Sequence, residues 1–268
     1  MSPDAPVLGA VVDAVADRIG APGTAPLVLG ICGSQGSGKS TLATALARHF
    51  EDAGVATAIL SIDDIYLTLA EREALARDIH PLLRTRGVPG THDIALGRNV
   101  LAQLDAGVAT PLPRFDKAQD DRAPREEWDV SAPDTRLVIL EGWCVGARPE
   151  AEQALVTPIN ALERDEDADS RWRTYVNTAL GRDYPALFDR IDMLILLAAP
   201  SFETVFAWRT QQEHALRTAT GRGMTDEQVT RFVFHYERIT RHILAEMPGR
   251  ADLVIRLAQD RSAVSIDS

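Results

Sequence analysis

At 268 residues, with 45% hydrophobic and 25% charged residues, the chain has the make-up of a soluble globular protein long enough to bury a core without staples. A net charge of −11 argues against non-specific nucleic-acid binding, which needs a basic footprint. No apolar run reaches the length of a membrane span, no export signal opens the chain, and the two cysteines, Cys32 and Cys144, suit structural thiols in a reducing cytoplasm.

In chain order, Val7, Leu8, Val11, Val12, Val15 and Ile19 fall at 3.6-residue spacing and predict a helix over residues 7–19. A breaker follows from 20 to 26. Residues 26–32 form a short apolar run of the kind a buried parallel strand needs. Directly after it comes Gly33-Ser34-Gln35-Gly36-Ser37-Gly38-Lys39-Ser40, which fills every fixed position of G-x-x-x-x-G-K-[ST], with Thr41 next. Leu42, Ala45, Leu46 and Phe50 then continue at helical spacing. Strand, glycine loop and helix are the context this phosphate-binding loop demands. Its glycines let successive N–H groups turn inward onto phosphate oxygens, Lys39 reaches the β- and γ-phosphates, and Ser40 can ligate Mg²⁺.

Residues 55–62 predict a second strand ending in Asp63-Asp64. From about 64 to 130 Pro, Gly and Arg become frequent, with one helical pattern at Ile94, Gly97, Val100, Leu101 and Leu104; so long a connection reads as a functional insertion. A third strand, 137–140, is closed by Glu141-Gly142-Trp143. Residues 151–190 read as mainly helical, with the acidic run 163–169 taken as a solvated connection. Residues 191–198 make a strong strand, and Ser201 can cap a helix carrying Val205, Trp208 and Arg209. Gly221-Arg222-Gly223 interrupts that helix. Thr225 to Gln228 has capping-box spacing for a long helix to about 247, and 252–257 is the last expected strand. Trp143 and Trp208 read as packing residues. With no repeat and no sharp linker, one α/β domain over 1–268 is expected, its doubly wound, mainly parallel sheet covered by helices on both faces.

Ligands in such sheets gather at the carboxyl ends of strands, where Asp63, Asp64 and Glu141 stand. Glu141 suits the carboxylate a Mg²⁺-nucleotide needs, together with Ser40. Asp63 is the candidate for orienting an acceptor hydroxyl, whereas Asp64 reads as turn chemistry or a helix cap. Lysine is scarce: 26 of 28 basic residues are Arg, and the only lysines are Lys39 and Lys117. Because an Arg fork does not replace a compact ammonium, Lys117 reads as held by function.

The phosphate loop, Ser61 to Tyr66, and Val138 to Trp143 resemble the uridine kinase, phosphoribulokinase and pantothenate kinase branch of P-loop kinases. The resemblance implies an acceptor-activating role for Asp63 and a Mg²⁺-associated role for Glu141, with ATP as donor. Gly87 to Asp93, Leu112 to Lys117 with Asp121-Arg122, and Met224 to Val229 are similar to the D-glycerate 3-kinase group within that branch. The insertion fits an anionic acceptor independently. Between residues 77 and 125 it carries eight basic and six acidic side chains inside an acidic chain. Arg84, Arg86, Arg114 and Lys117 are the expected grips for a carboxylate. His92 could bind a substrate hydroxyl, and Asp93 could equally cap the helix starting at Ile94. Arg209, Arg217 and Arg222, over 209–224, resemble the arginines of a lid, Arg217 acting on the transferring group with Lys39, Arg209 and Arg222 holding nucleotide. The expected activity is that of a cytoplasmic, monomeric or weakly dimeric kinase phosphorylating a small hydroxy acid. A nucleoside, pantothenate or another hydroxylated metabolite as acceptor, or a nucleotide switch acting on a protein partner, remain alternatives.

Overall fold

The computed structural model describes residues 5–20 and 24–268, so residues 21–23 of the expected breaker lie outside the described part. Six strands form one sheet: β1 (Leu27–Gly33), β2 (Thr57–Ser61), β3 (Leu137–Gly142), β4 (Met193–Ala198), β5 (Leu253–Leu257) and β6 (Ala263–Asp267). Their order is β6-β5-β4-β1-β3-β2, parallel throughout except for β6, which returns antiparallel on β5. Every residue of β1, β3 and β4 is buried, as strands covered on both faces require. The edge strand β2 instead alternates buried and half-buried positions.

Helix α1 (Ala5–Ala16) ends before Ile19, shorter than its apolar spacing suggests. With α2 (Lys39–Asp52) it covers one face, where Val11, Leu46, Leu29 and Ile195 share a core. The other face packs α4 (Ile94–Asp105), α6 (Arg171–Arg182) and α9 (Asp226–Glu246) through Leu101, Val176, Ile239 and Leu140. Between β2 and β3 the chain also forms α3 (Leu69–Asp78) and two short ladders, Pro111–Leu112 with Asp129–Val130 and Phe115–Asp116 with Asp121–Arg122.

The 151–190 region breaks into α5 (Ala161–Glu166), α6 and α7 (Pro185–Phe188). Here the acidic run departs from its expected role as a solvated connection. Glu163 and Asp167 are buried, because arginines from elsewhere reach in to them. Arg238 grips Glu163 with two bonds of 2.7 and 2.6 Å, and Arg173 donates to Asp167 at 2.7 Å. Helix α8 (Phe202–Thr220) starts at the Ser201 cap and ends on Gly221, and Thr225 closes the expected capping box with Gln228 onto α9. Parallel register aligns Ile31 and Ser61 with Glu141, and Cys32 with Gly142. Three strand ends therefore open onto one place.

Candidate active site

The phosphate loop leaves the end of β1 at Gly33 and turns into α2 at Lys39, with Gly38 as the cap residue in a left-handed conformation. Ser34 and Ser37 are buried inside the turn, and their hydroxyl oxygens have no partner. Such orphaned polar atoms beside a helix N-terminus suit an anion that brings its own oxygens. On one side of the loop lies a cavity of about 330 Å³, lined by Gln35, Gly36, Lys39 and Ser40 together with Asp63 and Glu141. On the other side Gly38, Lys39 and Thr41 face Gln211, Gln212 and Arg261 across a second hollow of about 410 Å³.

The residues fit a divalent cation. Ser40 donates its hydroxyl to Glu141 Oε1 at 3.1 Å, while Glu141 Oε2 is buried with no donor near it. A buried carboxylate oxygen left bare is costly unless a charge arrives to meet it. Ser40 and Glu141 are therefore the pair that would hold Mg²⁺, in a hard-oxygen donor set of the kind this ion prefers.

Asp63 sits in the short 3₁₀ turn Ile62–Asp64 that closes β2, and both its oxygens are engaged. Tyr66 donates its hydroxyl to Oδ1 and Lys117 its ammonium to Oδ2, each at 2.7 Å. Burial pushes the carboxyl up, but the charges of Lys117 and Lys39 and these two hydrogen bonds outweigh it and hold the carboxyl down at about 2. Tyr66, whose own hydroxyl burial pushes well up, lies stacked on His92 with ring centroids 4.8 Å apart.

Of the expected substrate grips, Arg86 and Lys117 line the cavity. Arg86 reaches over the Phe115 ring, 5.5 Å from its centroid, and is paired with Asp120. The other three lie elsewhere. Arg84 is exposed and paired with Glu73 at 3.1 Å, because the 3₁₀ turn Pro81–Arg84 turns it to solvent. Arg114 is spent on Asp64 and Asp129, at 3.2 and 2.7 Å, and so anchors the insertion. His92 is buried behind Tyr66, bonded through Nδ1 to the Tyr184 hydroxyl, and burial pulls its ring down to about 3, so it stays neutral. Asp93 caps α4, accepting from Leu96 N at 2.9 Å, and also receives Arg122 at 3.0 Å. Among the expected lid arginines only Arg209 lines the cavity, held by Glu213 and lying over Phe232. Arg217 pairs with Asp226 at 2.6 Å across the α8–α9 turn, and Arg222 is exposed on that turn. Both stand away from the cavity because the segment is the end of one long helix joined to the next.

A family model described as "Phosphoribulokinase / Uridine kinase family" matches residues 28–147. An uncharacterized kinase of Schizosaccharomyces pombe is 38% identical over 226 residues, covering 79% of this chain and 78% of that protein. The chain belongs to the phosphoribulokinase/uridine kinase family. Membership makes it an ATP-dependent kinase with a P-loop fold. The chloroplastic D-glycerate 3-kinase of Arabidopsis thaliana is 31% identical over 258 residues, which are 89% of this chain and 54% of that one. The solved D-glycerate 3-kinase of Cryptococcus neoformans superposes with a TM-score of 0.79 at 28% identity, covering 98% of each chain.

Other contacts around this kinase's cavity brace it, and three of their residues, Arg72, Tyr236 and Arg261, lie outside every motif. Arg72, on α3, is fully buried and donates to the carbonyls of Leu67, Arg84 and Asp120, locking the segment that presents Arg86. Tyr236, on α9, donates to the Arg86 carbonyl at 2.9 Å. Trp143 does the same to the Gly87 carbonyl at 2.9 Å. Gly87 has φ of +124°, and a Cβ there would lie 2.0 Å from the Tyr236 hydroxyl, so only glycine admits this contact. Arg261 donates to the Gly36 carbonyl at 2.8 Å and lies over Trp208, tying the phosphate loop to the chain after β5. The capping box Thr68-x-x-Glu71, ahead of the strong helix formers of Leu69–Asp78, is the local sign of α3.

Proposed function

We propose that this kinase transfers the γ-phosphoryl group of ATP to a hydroxyl of a small hydroxy acid, D-glycerate. The observation that carries this reading is the shared cavity. Lys39 and Ser40 of the phosphate loop, the carboxylate of Asp63, and the cations of Arg86 and Lys117 all face it. At about 330 Å³ it sits at the small end of ligand pockets, and the triphosphate end must occupy part of it. What is left favours a compact acceptor, and two cations beside Asp63 favour an anionic one. The names of the two D-glycerate 3-kinases similar to this chain support the same acceptor. We read the whole chain as one catalytic domain whose 64–130 insertion binds the acceptor, with residues 209–224 as a lid.

In this reading Asp63 accepts a hydrogen bond from the acceptor hydroxyl and takes its proton. The hydroxyl oxygen bonds to the γ-phosphorus as the bond to the β–γ bridging oxygen breaks, leaving ADP. A carboxyl held at about 2 is a weak base, which suits a loose transition state where orienting the nucleophile counts more than removing its proton early. Lys39, which makes no ion pair among the described residues, meets the charge on the transferring group, and Arg209 adds a cation from α8. Ser40 and Glu141 would hold Mg²⁺, which would supply neutralisation of phosphate charge.

ATP consumption by the purified protein across glycerate, other hydroxy acids, pantothenate and uridine tests this. Turnover with glycerate is expected. Turnover with uridine or pantothenate alone removes the hydroxy-acid reading, and nucleotide hydrolysis without any small acceptor favours a nucleotide switch.

A further inference from the structure

The ion pair between Lys117 and Asp63 poses a problem that the chemistry must solve. Asp63 has to receive a hydroxyl, yet Oδ2 carries the Lys117 ammonium and Oδ1 the Tyr66 hydroxyl. The two partners are not equivalent. Tyr66 is 4% exposed and wedged between His92 and Phe115, with ring centroids at 4.8 and 5.1 Å. Lys117 stands in the tip joining Phe115–Asp116 to Asp121–Arg122, and its side chain is 58% exposed. Its only ion pair among the described residues is the one with Asp63. A long, solvated stem with one exposed contact costs little to swing aside.

We infer that Lys117 is an acceptor-charge sensor: it masks Asp63 in the resting enzyme, and the anionic group of the incoming acceptor draws its ammonium off Oδ2, freeing that oxygen for the hydroxyl. This rests on the acceptor class proposed above. The charges around Asp63 make the exchange one-for-one. Lys39 on α2, Tyr66 and Lys117 act on Asp63 directly; Glu141 on β3, Arg86 and Arg209 share the cavity. Arg86 already has Asp120 and Arg209 already has Glu213 as counter-ions. Lys117 is the most solvated of these three cations, its side chain 58% exposed against 27% for Arg86 and 19% for Arg209, and Asp63 keeps the Tyr66 hydroxyl when the ammonium leaves. A neutral alcohol offers no such exchange and finds Asp63 still covered, so the pair selects for charge before the hydroxyl is engaged.

The chain's lysine scarcity gives a direct readout. Labelling lysine with ¹³C at Cε yields only two side-chain signals, Lys39 and Lys117, and Lys117→Met assigns them. Asp63→Asn is expected to move the Lys117 signal. Adding glycerate in the presence of a non-hydrolysable ATP analogue is expected to move it again, while glyceramide, the neutral amide, leaves it in place. In steady state the wild type should favour glycerate over glyceramide by about 10- to 100-fold in kcat/KM, the range one charge-assisted contact supplies. Lys117→Met should collapse that ratio to within a few-fold, through a raised KM for glycerate and a raised kcat/KM for glyceramide, whose hydroxyl no longer meets a covered Asp63. Lys117→Arg should restore part of the ratio. An equal fall for both acceptors, an unchanged ratio, or a Lys117 signal indifferent to a calorimetrically bound acid overturns the inference. If a different anionic acceptor proves to be the one turned over, the glycerate reading falls while the same comparison, run with that acid and its amide, scores the sensor. A neutral preferred acceptor overturns the sensor itself.

Discussion

Gly142 is the residue on which the relative position of the two candidate acids depends. It follows Glu141 in β3, and the methyl of an alanine there would lie 2.2 Å from Ile62 Cγ2, 3.0 Å from Ile62 Cβ and 3.2 Å from Val145 Cγ2. Carbon atoms pack at about 3.5–4.0 Å, so Ile62 must retreat by more than about 1 Å. Ile62 and Val145 are fully buried, leaving no free space for that retreat. Gly142→Ala is therefore expected to destabilise the fold by about 2–3 kcal/mol, lowering Tm by on the order of 5–10 °C. Because Ile62 precedes Asp63 in the same turn, kcat should fall at least about tenfold, since misplacing a reacting group is costly. Urea unfolding of a double-mutant cycle isolates the cause. Ile62→Ala alone should cost about 3–4 kcal/mol as a cavity, whereas Gly142→Ala placed on top of it adds almost nothing, a coupling of about 2 kcal/mol. Additive free energies, within about 0.5 kcal/mol, would show that the two residues do not compete for this space and would refute the reasoning.

Asp63→Asn keeps the shape but loses the proposed base, so turnover should fall about 10²- to 10⁴-fold while calorimetric nucleotide binding is retained; unchanged turnover would remove Asp63 from the chemistry. The same carboxyl is held down to about 2 from 3.8, so its contribution is present above pH 3.8 and is lost as pH falls through 2. Discounted for the solvent around Lys117, that is on the order of 1 kcal/mol, and unfolding curves of wild type and Asp63→Asn should converge across this window. Arg72→Met would leave the carbonyls of Leu67, Arg84 and Asp120 without their donor. A loss of about 3–5 kcal/mol is expected in urea unfolding, with acceptor KM raised more than nucleotide affinity is weakened; a stability change below about 1 kcal/mol would contradict the buried network.

The parts of the fold legible in the sequence are those whose cause is local. Strands β1, β3 and β4 are buried on both faces, so they stand out as apolar runs, and the loop between β1 and α2 is a backbone shape with fixed residue requirements. Strand β6 escaped because Ala263–Asp267, three half-buried residues and two exposed ones, carry no apolar run, and an antiparallel edge needs none. Helix α3 escaped for a different reason: its one buried residue is Arg72, so the stripe that reveals a helix is replaced by a single guanidinium. The buried half of the acidic run was hidden likewise, since Glu163 is matched by Arg238, 75 residues away in the chain. Among the many arginines nothing local separates Arg86, in the cavity, from Arg84, in solvent two residues earlier. Their difference is set by the distant Asp120, itself at φ of +56°. Lysine scarcity singles out Lys39 and Lys117, and both line the cavity.

Asp63 and Asp64 show how one turn couples the insertion to the chemistry. Successive residues of a 3₁₀ turn point about 120° apart, so neighbouring carboxylates cannot serve one purpose. Asp63 faces the cavity. Asp64 faces the insertion, accepting from Phe115 N and from Arg114, both at 3.2 Å. Phe115 is two residues from Lys117, so the tether that fixes the hairpin and the ion pair it delivers spring from adjacent residues. Burial pushes the Asp64 carboxyl up, against the pull of Arg114 and the Phe115 amide; that cost is the counterpart of anchoring a polar hairpin inside the fold. The distance from Lys117 to Asp63 is therefore set by two hydrogen bonds one residue away rather than by the whole 64–130 insertion. The carboxylate of Asp64 thus holds the hairpin that carries the ammonium beside the carboxylate of Asp63.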